Sequence, residues 1–203
     1  ISKKLELSAG YIDEISGIIK CLDWRQPEIR QIAMGHEGRA ASIYWNTLSN
    51  LVPDGFNFCS RITKGATDVF NQCLNYVYGI IYGEIWRALV KNGLDPYFGL
   101  VHGSKRDEGS LVFDIIEEFR APFADRFVFA MAGRGFKPES GDNGMLKNSS
   151  KYKLIHGFMK KWTKPLKWRS KIVKPSQIVS IQAAAFRNMI ESKGKYHPYK
   201  MRW

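Results

Sequence analysis

Three cysteines in 203 residues, Cys21, Cys59 and Cys73, are too few and too scattered for a disulfide framework or a CxxC-type structural zinc site. A reducing, cytoplasmic setting suits them. No apolar run is long enough to span a bilayer. The most apolar stretch, Tyr76 to Leu89, is broken by Glu84 and Arg87. No secretory leader opens the chain, and its first residue is Ile1 rather than Met, so a fragment or processed piece of a longer protein is expected. Acids are nearly missing from the last quarter. Residues 147–203 carry 15 Lys and Arg against one acid, Glu191, whereas residues 1–146 carry 16 against 18, so the basic excess behind the net charge of +12 is all C-terminal. A field of that sign attracts polyanions, which makes nucleic acid the leading partner. An anionic membrane surface is the rival and a solubilising tail the bland alternative. The stretch Lys151–Lys174 interleaves Tyr152, Phe158, Trp162 and Trp168 with its lysines, which suits backbone contacts with base stacking.

A hydrophobic fraction of 44% supports one globular core. Its periodicity is helical. Ser8 or Asp13 opens a predicted helix to Leu22. Gln26 and Pro27 begin a second to about Leu51, with Glu37 in its middle, and a turn-rich connector covers Val52 to Gly65. Asp68 to Asn92 reads as a long core helix carrying Leu74, Val77, Tyr78, Ile81, Ile85 and Leu89, with Asn71, Asn75, Tyr76 and Tyr82 as polar exceptions. Asn75 and Tyr78 either touch substrate or satisfy buried backbone groups. Ser110 is placed to cap a further helix that Pro122 kinks or ends at Ala121, and a following helix runs through Met131. Residues 133–150 have loop or linker composition, and residues 151–203 read as a basic tail with a terminal amphipathic helix from Pro175 to about Ser192, whose Ile178, Ile181, Ala185, Phe186, Met189 and Ile190 are placed to dock on the core. The closing YHPYKMRW either covers a functional face or anchors the terminus.

The chemistry concentrates in GLVHGSKRDEGSLVFDIIEEFR, Gly99 to Arg120. It holds His102, one of four histidines, in a Gly-flanked turn. Asp114 and Glu117 follow in an apolar run, at i and i+3 on one helical stripe. Acids in such surroundings need a positive partner. A divalent cation shared with the imidazole is one answer and an arginine salt bridge the other. Lys105 and Arg106 are either phosphate contacts or solvated loop charges. A further acid, Glu37, lies among the small residues of MGHEGRAASIYW and either joins the site or pairs with Arg39, Arg61 or Lys64 at the surface. Glu118 and Arg120 are expected in salt bridges elsewhere, with Asp125 or Arg126 as partners.

Five stretches, HEGRAASIYW, DVFNQCLNYVYGIIYGEIWRAL, GLDPYFGLVHG, SLVFDIIEEFRAPFADRFV and YHPYKMRW, together resemble the CRISPR-associated integrase family of spacer acquisition, the Cas family numbered one. The likeness covers most of the chain in the family's order. It implies a mainly α catalytic domain, with a basic C-terminal extension and without the family's N-terminal β domain. It also implies Glu37, His102 and Glu117 as metal ligands, with Asp114 as a catalytic acid beside them, and Mg²⁺ or Mn²⁺ as cofactor. The implied activity is a DNA endonuclease and integrase that inserts short fragments into a repeat array by transesterification. The expected partners are double-stranded DNA with 3′ ends, a second copy, the small companion of the Cas family numbered two, and in some relatives a reverse transcriptase, with no membrane. Lys160, Lys161, Lys164, Lys167 and Arg169 are the expected DNA contacts with Lys105 and Arg106. From a different class, a non-catalytic nucleic-acid-binding scaffold, with its acids ion-paired, is the alternative. A transposon-encoded integrase of the same chemistry is a third.

Overall fold

The computed structural model describes residues 2–23, 25–26, 28–102, 109–141 and 143–201. Helix α1 (Ser2–Lys20) packs along α2 (Ile29–Leu48), which runs on through a 3₁₀ turn, Ser49–Leu51. The connector contains a second short turn, Asp54–Phe56, and leads to α3 (Val69–Lys91). Then come α4 (Ser110–Phe119), a π-helical segment Arg120–Asp125, α5 (Arg126–Gly133), α6 (Asn148–Trp162), the hairpin strands β1 (Leu166–Trp168) and β2 (Lys171–Val173), and α7 (Pro175–Ile190). The architecture is mainly α, as expected.

Helix α3 is the central post. Phe70, Leu74, Val77, Ile81 and Ile85 recur at three- and four-residue spacing and are fully buried, and α4, α6 and α7 pack around them. Each such side chain contributes about 1.5–3 kcal/mol through removal from water. The helix starts where Asp68 accepts a hydrogen bond from the Asn71 amide, 2.8 Å. It ends at Asn92, followed by Gly93 at φ +70°.

Several boundaries differ from the sequence reading. Helix α1 begins earlier than Ser8 and ends at Lys20. Gly109, not Ser110, is the N-cap of α4. A Cβ at Gly109 would lie 2.3 Å from the Tyr82 hydroxyl and 2.8 Å from the Trp86 ring, so this entry to α4 accepts only glycine. Pro122 does not end the helix. The wider π turn makes room for its ring, which in a regular helix would meet the carbonyl of residue i−4. Arg120 pairs with Glu117 rather than with an acid elsewhere.

The basic extension, residues 151–203, is packed on the core: α7 docks as its apolar stripe allowed, and α6 docks as well. Leu154, Phe158 and Trp162 of α6 and Ile178, Val179, Ala183 and Phe186 of α7 are part of the single core, because each helix carries one apolar stripe beside its lysines. Between α5 and α6 runs a loop whose Leu146 is buried, and α6 starts at Asn148. Between α6 and α7 the hairpin pairs Leu166 with Val173 and Trp168 with Lys171 across a two-residue turn. Arg169 and Ser170 both have positive φ there, as a primed turn requires. The terminal segment is anchored: Glu118 accepts hydrogen bonds from the Tyr199 amide (2.7 Å), Gln182 Nε2 (2.7 Å) and the Tyr196 hydroxyl. Tyr199 stacks on Phe119 at 5.8 Å.

Candidate active site

A cleft of about 650 Å³ lies between α2 on one side and α3, α4 and the π segment on the other. Glu37 and Tyr44 enter it from α2, Tyr78 from α3, Glu117 from α4, Arg120 and Asp125 from the π segment, and Arg61 from the connector. Two predicted site acids, far apart in sequence, therefore share one concave surface. The π turn is what lets Arg120 and Asp125 both face it. Five residues along a regular helix would leave them about 140° apart.

His102 and Asp114 form a second, adjoining unit. The Asp114 carboxylate accepts hydrogen bonds from the Leu100, Val101 and His102 amides at 2.5, 3.2 and 3.2 Å, and lies 2.6 Å from His102 Nδ1. Burial pushes the Asp114 pKa up, but the imidazole and the three amides outweigh it and hold the carboxyl below its ordinary value. The same contact raises the His102 pKa, with Asp114, Glu37 and Glu117 adding charge and burial opposing. Asp114 thus folds the 100–102 turn onto α4 and orients the ring, leaving Nε2 as the nitrogen available for another partner. Its role is met by loop amides rather than by the start of the helix.

Glu117 pairs with Arg120, one turn along. Burial in the cleft and the charge of Glu37 raise its pKa against the pull of Arg120. Glu37 has no arginine or lysine salt bridge among the described residues, so the surface pairings with Arg39, Arg61 or Lys64 are not made. As donors, two carboxylates and an imidazole with an oriented Nδ1 suit a hard divalent ion. Among the described residues, however, no three His, Cys, Asp or Glu side chains are gathered into an ion-holding group. Glu37, His102 and Glu117 act on one another through their charges, while Glu117 meets the guanidinium of Arg120. The donor types fit a metal ion, while in this arrangement one Glu117 oxygen is taken up by Arg120.

Sequence reading passed over Arg61, Tyr44 and Asp125. Arg61 donates to Asn71 Oδ1 (2.9 Å) and Asn75 Oδ1 (2.6 Å) and stacks over Tyr78 at 5.0 Å, so Asn75 is taken up in orienting an arginine and backbone carbonyls. Asp125, 3% exposed, accepts from the hydroxyls of Tyr44 (2.9 Å) and Tyr78 (2.5 Å). Burial raises its pKa against those two bonds and the nearby Arg61 and Arg120. The available signal was an aspartate, Asp125, in the apolar run FADRF, which the sequence offered only as a salt-bridge partner for Arg120.

Lys105 and Arg106 lie outside the described residues. Lys160 and Lys161 end α6, Lys164 follows it, and Lys167 and Arg169 belong to the hairpin. Lys160, Lys164 and Lys167 are exposed. Lys161 is half-buried near Arg126 and Arg134, and its pKa is lowered by burial and by their charge. Arg169 donates to the His197 carbonyl, 3.2 Å, and lies over the Trp168 ring.

The family model described as CRISPR associated protein Cas1 matches residues 2–160. A CRISPR-associated endonuclease Cas1 of Pyrobaculum aerophilum is 38% identical over 159 residues, covering 76% of this chain and 47% of that protein. A casposase bound to integration product superposes with a TM-score of 0.77 at 22% identity, over 97% of this chain and 60% of the casposase. A Cas6-RT-Cas1–Cas2 complex superposes with a TM-score of 0.78 at 20% identity, over 94% of this chain and 21% of its match. At such identities these two bear on the fold alone. The chain spans between 29% and 59% of the length of four curated relatives it matches.

Proposed function

The chain belongs to the Cas1 family of CRISPR-associated proteins, and from that premise we propose that it is the helical catalytic domain of a divalent-metal-dependent DNA endonuclease and integrase of CRISPR adaptation. The observation that carries the reading is the shared cleft of Glu37 and Glu117, with His102 held beside it by the buried carboxylate of Asp114. Glu37, Glu117 and His102 Nε2 would hold Mg²⁺ or Mn²⁺. Such an ion supplies Lewis acidity to a phosphodiester and to the attacking hydroxyl. The chain's own residues do the rest. Asp114 fixes the His102 tautomer, and Arg120, once released from Glu117, offers its guanidinium to a phosphate oxygen. Arg61, pinned by Asn71 and Asn75, adds a fixed positive charge to the same cleft. No side chain is needed as a nucleophile. Water gives cleavage, whereas a DNA 3′-hydroxyl gives strand transfer.

DNA is the substrate, and a second copy and a Cas2-type companion are the proposed partners. Support comes from relatives named endonucleases, from a casposase bound to integration product, and from a Cas1–Cas2 assembly. Fusion to a reverse transcriptase fits the Cas6-RT-Cas1 assembly. The test is Mn²⁺-dependent cleavage and strand transfer by the chain and by Glu37→Ala, His102→Ala and Glu117→Ala. Each substitution is expected to lower both activities on the order of 100-fold, about 3 kcal/mol of transition-state stabilisation, with DNA affinity retained. Full activity in His102→Ala would remove the metal reading. The Glu117–Arg120 pair favours a second reading, a non-catalytic nucleic-acid-binding scaffold with neutralised acids. It predicts no Mn²⁺ binding and no cleavage.

A further inference from the structure

Helix α2 carries Glu37, yet it is thinly attached to the rest of the molecule. It packs along α1, and Thr47 bonds Ser8 of that helix at 2.7 Å. Trp45 reaches the connector, packing 5.9 Å from Phe58 and under the guanidinium of Arg61. Among the described residues, one side-chain hydrogen bond joins α2 to the block formed by α3, α4, the π segment and α5. It runs from the Tyr44 hydroxyl to Asp125 Oδ2. Tyr44 lies seven residues from Glu37, two turns along the same face, and both line the cleft. Asp125 is in turn immobilised. Its other oxygen accepts from Tyr78, which stands on the central helix, and its backbone closes the π segment that begins with Arg120.

We propose that Asp125 is a positioning residue that, through Tyr44, sets the distance of α2, and with it Glu37, from Glu117 and His102. This rests on the reading of Glu37 as a metal ligand. Two hydroxyls converging on one buried carboxylate tie α2, α3 and the π segment at a single point, so the acids of the cleft approach each other in one arrangement. A helix held otherwise through α1 and a connector would leave Glu37 to sample a range of distances. A carboxyl group suits this task, because its two oxygens meet the two hydroxyls separately, Tyr44 on Oδ2 and Tyr78 on Oδ1.

Tyr44→Phe removes one hydroxyl and leaves the ring. The full chain and this variant are compared by hydrogen exchange of the α2 amides and by Mn²⁺ titration read from the electron paramagnetic resonance signal of the free ion. The expected result is faster exchange in α2, unchanged exchange in α3 and α4, and about tenfold weaker Mn²⁺ binding, as for loss of a group that orients a ligand. Tyr78→Phe keeps the Tyr44–Asp125 bond and is expected to loosen α2 less than Tyr44→Phe does. Unchanged α2 exchange or unchanged Mn²⁺ affinity in Tyr44→Phe overturns the proposal, as does equal loosening of α2 by Tyr78→Phe. A parent chain that binds no Mn²⁺ defeats the metal reading instead, and α2 exchange alone then decides the clamp.

Discussion

Replacing Trp162 by alanine separates a packed α6 from a basic appendage. Trp162 is 1% exposed, packs edge-on to Phe123 at 5.3 Å and stacks on Phe158 at 5.4 Å. Removing a buried indole costs about 3–5 kcal/mol in lost transfer energy and residual cavity. For a chain of this size each kcal/mol lowers the melting temperature by roughly 2–4 °C, so a fall of about 6–20 °C is expected in far-UV circular dichroism. Trp162→Phe is the informative partner. It keeps the stacking on Phe158 and deletes the indole Nε1–H, which is buried without an acceptor among the described residues. Relief of that unmet donor, about 1–3 kcal/mol, offsets much of the lost ring area, so the phenylalanine variant is expected within a few degrees of the parent. A Trp162→Ala protein melting within 2 °C of the parent would mean that α6 contributes nothing to the core and that 151–203 is an appendage after all. Equal losses in the two variants would refute the account of the unpaired N–H. A corollary concerns DNA binding: deleting residues 147–203 removes core side chains along with lysines, so lost affinity in such a truncation reports unfolding. Substitutions of surface charge are the cleaner probe.

Alanine at exposed Lys160, Lys164 and Lys167 together is expected to flatten the dependence of log DNA affinity on log salt, by up to about 2.7 if each meets one phosphate, with an unchanged melting temperature; an unchanged slope in fluorescence anisotropy would place the DNA elsewhere. Burial pushes the Cys73 thiol up to about 12, whereas Cys21 and Cys59 are exposed. At pH 8 the Cys73 thiolate is then only on the order of 10⁻⁴ of the total, so a colourimetric thiol reagent should titrate two cysteines promptly and the third only in denaturant. Asp68→Ala removes the cap of α3 and the 2.7 Å bond from Asn71 Nδ2, at a cost of about 1–2 kcal/mol, measurable as a lower guanidinium midpoint at unchanged slope. An unaltered midpoint would show that the α3 start is held by packing alone.

The amino-acid sequence by itself determined the local elements and the chemical inventory. The spacing of Leu74, Val77, Ile81 and Ile85 demands a helix with one buried face, and Asp68 and Gly93 bound it, because capping and periodicity depend only on neighbours within a few residues. His102, Asp114, Glu117 and Glu37 were legible as unusual groups among apolar or small ones, and the order of the motifs carried the family. What only the tertiary structure decided is which surfaces meet. Residues 151–174 looked like a basic run because their lysines dominate the composition, while the stripe of Leu154, Phe158 and Trp162 becomes core only once α3 and the π segment stand opposite. The hairpin turn at Arg169 and Ser170 has none of the glycine or asparagine that advertises positive φ. The π turn, which swings Asp125 into the cleft beside Arg120, arises from a proline that pattern reading takes for a helix end. Attachment of Glu37's helix through Tyr44 and Asp125 joins residues 81 positions apart. No local rule reaches that far, since such a contact exists only after the chain has closed around its core.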